Sequence, residues 1–453
     1  MVATKKNTTK KTIAKSDALK ALMGAALALP GISVAAEQGY RSEDIEIGVH
    51  HAEYTESGDR MTVKADQLSI TGPIGQNFEG NFSATRDITS GASPVVNFLD
   101  GKGKPHQFLE TGASIKDQRD IYEGTLTHYG DSSLSSIKLG TSEEDDYTSD
   151  YFSLSHRIDF NRKLSSLTFG YGHSDDDVWN SYNPSVLLEE PSIFKTRKKD
   201  EFNISFGQVI NKNTTLQLAL TYVDSSGFLS DPYKKTFVVD EAIFDFRKLN
   251  VDISGIFRFL VDSGVIRYLN NSGITKILNE SPLISIPFLS ENVLGVTKDD
   301  RPEKREQWIS LLRLSHYFKS TNSALHTDYR YSDDSWGAYS HTLEFKWNIG
   351  LGLGWQISPG VRFYSQHSAF FYDTFFETIP DHGYVSSDYR LAGFGAFSKK
   401  LEISKEFGRD FTVYLHYEEY ERKYDYEQGG QTNGDPLDDF EFTAFSVSFD
   451  VRF

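Results

Sequence analysis

The chain has 453 residues, a formal net charge of −17, 38% hydrophobic and 14% aromatic residues, and a mean hydropathy of −0.44. No apolar run approaches the roughly 20 residues of a membrane helix, which excludes a helical membrane protein. The acidity disfavours nucleic acid as a partner, because phosphate binding needs basic patches. The chain contains no cysteine, which excludes a lipoprotein anchor, disulfides and Cys-ligated metal or haem centres, and we expect no cofactor.

The first 36 residues have the pattern of an export signal. Lysines between Lys5 and Lys20 precede the apolar run Ala21 to Leu29, and small residues follow up to Ala36. The apolar run is too short to span a bilayer, so we interpret residues 1–36 as a Sec-type signal peptide. Residues 37–453 are then expected to form one exported domain.

Segments of alternating apolar and polar residues, separated by turn residues, follow along the exported chain. Such alternation is typical of strands whose faces meet different environments, and it predicts an all-β fold, a transmembrane antiparallel β-barrel. We count sixteen strands, and two weak segments leave fourteen as an alternative. The predicted strands are residues 44–55, 60–71, 74–86, 114–128, 131–141, 148–160, 163–174, 200–211, 213–224, 306–319, 322–333, 339–349, 351–366, 386–406, 410–424 and 438–453.

The connections differ in length at the two ends of this predicted barrel. If both termini lie at one end, that end receives only tight turns, while the connections at the other end are nearly all longer, the one short exception being Glu56 to Asp59. Outer-membrane barrels have short periplasmic turns and longer outer loops. We therefore expect both termini to be periplasmic, in the outer membrane of a Gram-negative bacterium.

The longest connection carries an insertion over residues 236–300. Apolar residues from Phe246 to Leu260 recur at helical spacing and charged residues cover the rest, which predicts an amphipathic helix and a partly helical outer loop. The apolar face needs cover, so we expect the insertion to act as a plug or cap of the outer mouth. A self-packed outer subdomain that leaves the pore unaffected is the alternative.

The chain ends on a strand that alternates without interruption. Phe445, Phe449 and the terminal Phe453 share one face with two valines, and polar residues occupy the other face. This pattern predicts a membrane strand, and Phe453 resembles the C-terminal aromatic that barrel-assembly machinery reads. The edge strand of a soluble sandwich is the alternative. The expected partners are that machinery, outer-membrane lipid and lipopolysaccharide.

Several stretches resemble an exported proteobacterial family catalogued as a domain of unknown function. They include DYRYSDDSWGAYSHTLEF (Asp328 to Phe345), VRFYSQHSAFFYDTFF (Val361 to Phe376) and SSDYRLAGFGAF (Ser386 to Phe397). The first contains the YRYxDDxWGxxSH-like core. The resemblance implies an outer-membrane β-barrel whose genes often lie near those for a thioredoxin-like protein and a flavin-attaching transferase. It implies no established activity and no catalytic residues.

Charged side chains of both signs fall on the inward face of the predicted strands. They could select solutes by charge in a pore, or they could merely pair with one another and fill the lumen. The lumen candidates are His326, Asp328, Arg330, Glu344, Lys346, Arg362 and Arg390.

A second group of candidates lies at the predicted outer rim, where acidic residues could offer oxygen ligands to a hard cation. This group comprises Asp333, Asp334, Trp336 and His341, with Asp145 and Asp146 as weak metal candidates. The spacing fits no calcium-binding repeat, so we predict no metal site. Ser340 is adjacent to His341 and therefore faces the opposite way, so we predict no catalytic residues and no enzyme activity.

The expected function is a channel or conduit for small solutes or ions, because barrels of this size normally enclose a water-filled lumen. The alternative is a non-channel scaffold or sheath for an exported redox or assembly partner.

Overall fold

The computed structural model describes residues 41, 43–91, 93–99, 105–110, 116–179, 194–232, 234–237, 296–374, 376, 378–427 and 439–453. These residues form a closed barrel of sixteen antiparallel strands, and two-stranded sheets lie in two of its connections. The predicted fold class and strand number are therefore confirmed, and the fourteen-strand alternative is wrong. Among the described residues, no helix is long and apolar enough to cross a membrane. The predicted signal peptide and the predicted helix of the insertion lie outside the described residues.

The strand bounds follow the predicted segments closely along most of the chain. The strands are β1 (Glu46–Glu56), β2 (Met61–Ile74), β3 (Phe78–Gly91), β4 (Ser93–Leu99), β5 (Pro105–Glu110), β6 (Lys116–Tyr129), β7 (Ser133–Glu143), β8 (Tyr147–Phe160), β9 (Ser165–Trp179), β10 (Phe194–Asn211), β11 (Thr214–Gly227), β12 (Lys235–Phe237), β13 (Val296–Lys298), β14 (Lys304–Phe318), β15 (Ser323–Asp334), β16 (Tyr339–Gly352), β17 (Trp355–Gln366), β18 (Phe394–Phe407), β19 (Phe411–Lys423) and β20 (Phe440–Arg452). Single 3-10 turns occupy Ser57–Asp59, Tyr389–Leu391 and Tyr424–Tyr426. The hairpin β4–β5 and the hairpin β12–β13 lie outside the barrel sheet.

The first and last strands close the barrel. β1 pairs with β20 in register from Glu46 opposite Arg452 to Glu56 opposite Phe442. Beyond this ladder, the Ile45 amide donates to the Phe453 carbonyl at 3.3 Å and the Phe453 amide donates back at 2.9 Å. Closure leaves no exposed sheet edge, so the terminal strand belongs to a barrel and the soluble-sandwich alternative is wrong.

The outward face of the barrel is apolar all the way round. Every barrel strand exposes at least one large apolar side chain, because the alternating pattern places these residues away from the lumen. One representative from each strand in chain order is Val49, Leu68, Phe82, Leu126, Leu139, Leu154, Phe169, Phe202, Leu218, Leu312, Tyr329, Phe345, Val361, Leu401, Leu415 and Phe449. A continuous exposed apolar band of this kind is the lipid-facing surface of a transmembrane barrel.

The two ends of the barrel differ. One end of the barrel, which we call the turn end, holds the start of β1, the end of β20 and the connections 75–77, 130–132, 161–164, 212–213, 319–322, 353–354 and 408–410. The opposite end, the loop end, receives 57–60, 92–115, 144–146, 180–193, 228–303, 335–338, 367–393 and 424–439. The predicted division into short turns and longer loops is therefore present in the fold.

Exposed side chains also differ between the two ends. Aromatic residues next to the turns, such as Trp355 and Phe407, are exposed and form the girdle expected at a membrane interface. Towards the loop end, outward ion pairs replace the apolar residues, and one of them joins Lys198 Nζ to Asp175 Oδ1 at 3.3 Å. The strands therefore continue beyond the apolar band on the loop side.

Several predicted strand ends at the loop end are wrong, namely those of β3, β9, β10 and β18. Asp175 and Asp176 were expected in a loop, but they lie on β9, where they pair with Lys198 and Arg197 of β10. Opposite charges across the ladder stabilise strands there that carry no apolar signal. The predicted strand 386–406 begins only at Phe394, because the preceding residues fold into the connection 367–393.

Candidate lumenal site

A cavity of about 630 Å³ lies inside the barrel. Its walls are inward side chains of β1, β2 and the strands from β14 to β20, and Tyr389 and Arg390 of the connection 367–393 contribute from the loop end. The cavity is thus bounded by one side of the barrel wall and by a loop that folds inward. This volume falls within the range typical of small-molecule sites.

Ion pairs organise most of the charged wall of this cavity. Arg313 of β14 binds the Asp328 carboxylate with both Nε and Nη2, the latter at 2.8 Å from Oδ2. Lys400 of β18 donates to Glu344 of β16 at 3.0 Å. Both carboxylates that the sequence placed in the lumen therefore have a cationic partner on a different strand.

The second lysine pair crosses a whole strand. Lys346 of β16 lies 3.3 Å from both carboxylate oxygens of Glu402 on β18. Between them, β17 presents only Ser358 and Gly360 inward, and Gly360 is directly opposite both Lys346 and Lys400. Because Ser358 and Gly360 are small, Lys346 and Glu402 can reach each other over the lumenal side of β17.

His326 lies directly opposite Lys346 on the neighbouring strand. Its Nδ1 is 2.8 Å from the Ser315 hydroxyl and its Nε2 is 3.1 Å from Asn348 Nδ2. The imidazole therefore bridges three neighbouring strands of the wall rather than lining the cavity.

Two arginines of the wall have no such partners. Arg330 and Arg362 line the cavity, yet within the described residues neither guanidinium makes an ion pair or hydrogen bond, and Arg362 Nε is buried without an acceptor. The two groups are close enough to repel each other electrostatically. They leave an excess of positive charge on this part of the wall.

The facing wall is aromatic. Phe442 of β20 contacts Tyr420 with a ring-centroid distance of 4.5 Å and Tyr54 at 4.7 Å. The Arg422 guanidinium lies 4.9 Å from the ring centroids of both Tyr389 and Phe440. Cation–π contacts hold this arginine against the rings and join the loop residue Tyr389 to the barrel wall.

The connection 367–393 forms a roof over the cavity at the loop end. Its core contains Trp336 and Phe371, whose rings meet edge to face at 5.1 Å. Gln366, at the end of β17, donates from Nε2 to the carbonyls of Arg390 at 2.8 Å and Ala392 at 2.7 Å. Buried aromatic packing and these hydrogen bonds fix the roof in the mouth of the barrel.

A buried charge cluster joins the roof to the flanks of the long connection. We call it the mouth cluster, and it comprises Asp231, Asp299, Arg301, Asp388 and Arg390. Arg301 donates to Asp299 Oδ2 at 2.6 Å and to Asp388 Oδ2 at 2.7 Å. The Arg390 guanidinium binds Asp388 and reaches Asp231 as well. Beside the cluster, Asp300 and Val385 pair through backbone hydrogen bonds of 2.9 Å.

The two central carboxyls of the mouth cluster differ in their pKa. Burial raises the pKa of Asp299, and the negative charges of Asp388 and Asp231 add to this effect although Arg301 opposes it. Burial acts on Asp388 in the same direction, but the positive charges of Arg390, Arg301 and Lys234 outweigh it and leave the Asp388 pKa below its ordinary value. Asp388 is thus the carboxylate on which the cluster depends.

The predicted lumen candidates mostly lie where the alternation placed them. Asp328, Arg330, Glu344 and Arg362 line the cavity, and Lys346 faces the lumen beside it. Arg390 also lines the cavity, but it lies on the 3-10 turn Tyr389–Leu391 and not on a strand.

The predicted rim candidates do not form one site. Asp334 is buried and accepts hydrogen bonds from Arg305, and Trp336 is buried with only 3% of its surface exposed. Asp333 is exposed, and His341 stands among outward tyrosines with its Nδ1 2.8 Å from the Tyr329 hydroxyl. The strand alternation that separates Ser340 from His341 also separates Asp333 from Asp334.

The weak metal candidates lie in the short connection between β7 and β8. Asp146 is buried, and the carbonyl of Asp145 accepts a 2.9 Å hydrogen bond from Trp179 Nε1. The described residues contain no group of three or more His, Asp or Glu side chains placed to hold a metal ion.

The sequence analysis did not identify several of the side chains that line the cavity or pair with its charged residues. These are the ion-pair partners and the aromatic wall, namely Arg313, Lys400, Glu402, Tyr420, Arg422 and Phe442. Their signal was the same alternation, since Lys400 and Glu402 occupy every second position of β18, as do Tyr420 and Arg422 on β19. Alternation shows which side chains face the lumen, but it does not show which of them lie opposite one another on neighbouring or next-but-one strands.

Comparisons with known proteins give a family and distant structural neighbours. A family model described as "Protein of unknown function (DUF3570)" matches residues 19–443. No curated protein is a detectable sequence relative of the chain. Similar solved structures include a bacterial polysaccharide outer membrane secretin, with 7% identity, a TM-score of 0.44, and coverage of 91% of this chain and 99% of that one.

Two further neighbours are outer-membrane proteins of named bacteria. The siderophore receptor PirA from Acinetobacter baumannii has 10% identity and a TM-score of 0.40, covering 85% of this chain and 53% of the receptor. The outer membrane protein OpdK from Pseudomonas aeruginosa has 8% identity and a TM-score of 0.37, covering 90% of this chain and 99% of OpdK.

Proposed function

This chain belongs to the DUF3570 family of proteins of unknown function, and we propose from its own lumen that it is a conduit for small solutes or ions. The observation that carries the proposal is the cavity of about 630 Å³ inside the barrel, lined by ionised side chains and rings. A barrel that served only as a scaffold would gain nothing from keeping such a space, or from placing in it Arg330 and Arg362, which make no ion pair within the described residues.

We place the conduit in the outer membrane of a Gram-negative bacterium. The apolar band fits lipid, and the loop end, with its longer connections and outward ion pairs, faces the cell exterior. Both termini are then periplasmic. Lipid and lipopolysaccharide surround the barrel in this proposal, and the barrel-assembly machinery reads the strand that ends at Phe453.

The roof makes this a gated conduit. The connection 367–393 lies between the cavity and the loop end, and the mouth cluster ties it to the flanks of the insertion 236–300. These flanks contact the roof, and in this proposal movement of the roof is the step that admits a solute. The proposal includes no catalytic step.

Planar-bilayer recording of the purified barrel tests the proposal. We expect discrete conductance steps, and we expect Ala444→Trp to lower them because Ala444 lines the cavity. The matched control is Ala84→Trp, which adds the same side chain beside the outward Phe82 and should conduct like the parent.

Folding is checked separately by the slower migration of unfolded barrel after heating in detergent. A folded parent that conducts no current, with lumen and control variants equally silent, would refute the conduit. It would leave the scaffold for an exported redox or assembly partner as the better account.

A further inference from the structure

We infer that the lumen cavity binds small aromatic carboxylates. This inference rests on the proposed function, because it names the solute class for the same cavity, and it adds a recognition site to the conduit. Two observations carry it. Arg330 and Arg362 make no ion pair or hydrogen bond within the described residues, and a cluster of aromatic rings lies on the next part of the wall.

The arginine pair is built into neighbouring strands. Arg330 of β15 is opposite Thr342 of β16, and Thr342 is opposite Tyr364 of β17. Arg362 is the next inward residue before Tyr364 on the same strand. The two arginines therefore lie two strands apart. The intervening strand β16 carries the small Thr342 opposite Arg330 and Glu344 opposite Arg362, and Lys400 binds Glu344, so both guanidinium groups can reach one anion.

Other charged groups of this wall are already satisfied. Asp328 is bound by Arg313, and Glu344 is bound by Lys400 at 3.0 Å. Asp328 and Glu344 also attract Arg330, and Glu344 lies directly opposite Arg362, but each of these two carboxylates is already bound by another cation. Arg313, Lys400, Arg330 and Arg362 therefore share two carboxylates, which leaves net positive charge on this wall. Two adjacent cations facing a cavity attract an anion, and a guanidinium matches the planar oxygen pair of a carboxylate.

The remaining walls of the cavity favour an anion whose carboxylate is attached to an aromatic ring. The Arg362 charge acts on Tyr420 and on Tyr364, so the cationic wall meets the aromatic wall at these rings. Beyond them, Tyr54, Tyr420 and Phe442 pack ring to ring. A carboxylate held by the arginine pair would therefore place an attached ring against these side chains, where offset or edge contacts stabilise it.

The same geometry disfavours cationic solutes and small hydrophilic anions as ligands. A cationic solute would be repelled by the arginine pair, and a small hydrophilic anion such as phosphate would leave the aromatic wall without a contact. The volume of about 630 Å³ admits a single-ring solute together with water.

Isothermal titration calorimetry on the full-length barrel in detergent tests the inference, with benzoate as the probe. We expect benzoate to bind at least about tenfold more tightly than benzamide, which lacks the charge, and than acetate, which lacks the ring. The double variant R330Q/R362Q should lose at least about tenfold in benzoate affinity. The control R86Q/K198Q removes the same charge from the outward face and should bind like the parent.

Binding and conduction are read separately, so the two proposals can fail independently. Benzoate binding that is unchanged in folded R330Q/R362Q, or equal affinity for benzoate and benzamide, would overturn the carboxylate site while leaving conduction intact. A barrel that binds benzoate through the arginine pair but passes no current would keep the site and refute the conduit. If R330Q/R362Q fails to fold, R330K/R362K keeps the charge, and retention of only part of the affinity would support the planar guanidinium fit.

Discussion

Arg330 and Arg362 differ from the lumen cations Arg313, Lys346 and Lys400 because neither makes an ion pair within the described residues. Arg313, Lys346 and Lys400 each lie within ion-pair distance of an acidic side chain on another strand. A paired charge contributes little field at a distance, since its partner cancels it, while an unpaired one sets the local potential. The charge selectivity of the lumen should therefore depend on these two arginines.

Replacing both arginines by glutamine should shift ion selectivity towards cations. The change removes two positive charges and leaves the remaining lumen acids to set the sign. The reversal potential across a planar bilayer in a salt gradient measures the shift. R86Q/K198Q alters net charge equally on the outward face and should leave the reversal potential unchanged. If the lumen variant keeps the parent's reversal potential but melts at a lower temperature, these arginines serve packing instead.

On β6 to β8, the lack of a side chain at Gly140 leaves room for the ring of Tyr151. Tyr151 of β8 lies flat across Gly140 of β7 and donates to Glu123 of β6 at 2.9 Å, where Lys138 also binds. Any Cβ at position 140 would overlap the tyrosine ring. The ring covers the glycine in the manner that stabilises glycine-containing sheets.

Gly140→Val should therefore destabilise the barrel by about 1–3 kcal/mol, the usual cost of forcing volume into a packed site. Gly124→Val is the matched control, because a Cβ at Gly124 meets nothing within 4 Å. Thermal unfolding followed by loss of β-sheet circular dichroism measures both. Equal unfolding temperatures for the two variants would show that Tyr151 moves away without cost.

At the scale of the elements, the mouth cluster explains why a long connection becomes a roof. Burying several charges is unfavourable unless each one is paired and hydrogen-bonded, and here Asp388 binds Arg301 and Arg390 together. Because its pKa is lowered, Asp388 stabilises the roof at pH above its ordinary value of 3.8, and this contribution is lost as pH falls through the lower folded value. Asp299 has a raised pKa, so its contribution is present at low pH and is lost as pH rises through that raised value.

Asp388→Asn should consequently loosen the roof far more than Asp299→Asn. The first change leaves two buried guanidinium groups facing each other without their shared carboxylate, which costs about 3–5 kcal/mol in buried pairs. The second change mimics the neutral form that burial already favours at this position. Limited proteolysis of the folded barrel, with cleavage mapped to residues 367–393, measures the difference. Equal protection of both variants would mean that the aromatic core around Trp336 alone holds the roof.

The roof is also the element that sequence interpretation placed wrongly. Residues 386–393 were read as the start of a strand, but Asp388 accepts a hydrogen bond from the Arg390 amide at 3.0 Å and turns the backbone into a 3-10 turn. Short polar side chains compete with strand ladders in this way. The inward direction of Glu344 or Arg362 was predictable because alternation is a local property. The pairing of Glu344 with Lys400 was not predictable, since it joins β16 to β18 across β17 and depends on the register of both ladders.

Alternation and turn spacing were sufficient to predict the closed barrel, because both patterns are repeated in every hairpin. Sixteen repetitions average out single errors in strand ends, such as those of β9 and β10. The interior lacks this redundancy. A cavity, a roof and a charge cluster each arise once, from side chains brought together by closure of the sheet, and so they were not predictable from local patterns.

The orientation of the barrel is the property on which the conduit proposal depends most broadly. Because the chain has no cysteine, single cysteines can report on it without background. Ser335 is exposed in the connection between β15 and β16, whereas the neighbouring Trp336 is buried and would be a poor probe. Arg409 is exposed at the opposite, turn end.

On intact cells, Ser335→Cys should react with a membrane-impermeant maleimide and Arg409→Cys should not. The reason is that the connections at the loop end include all the long ones, which outer-membrane barrels direct outwards, while the turn end holds the start of β1 and the end of β20. After the outer membrane is permeabilised, both cysteines should react, which controls for the reactivity of each thiol. Labelling of Arg409→Cys alone on intact cells would show that the barrel has the opposite orientation. The roof and the mouth cluster would then lie on the periplasmic side.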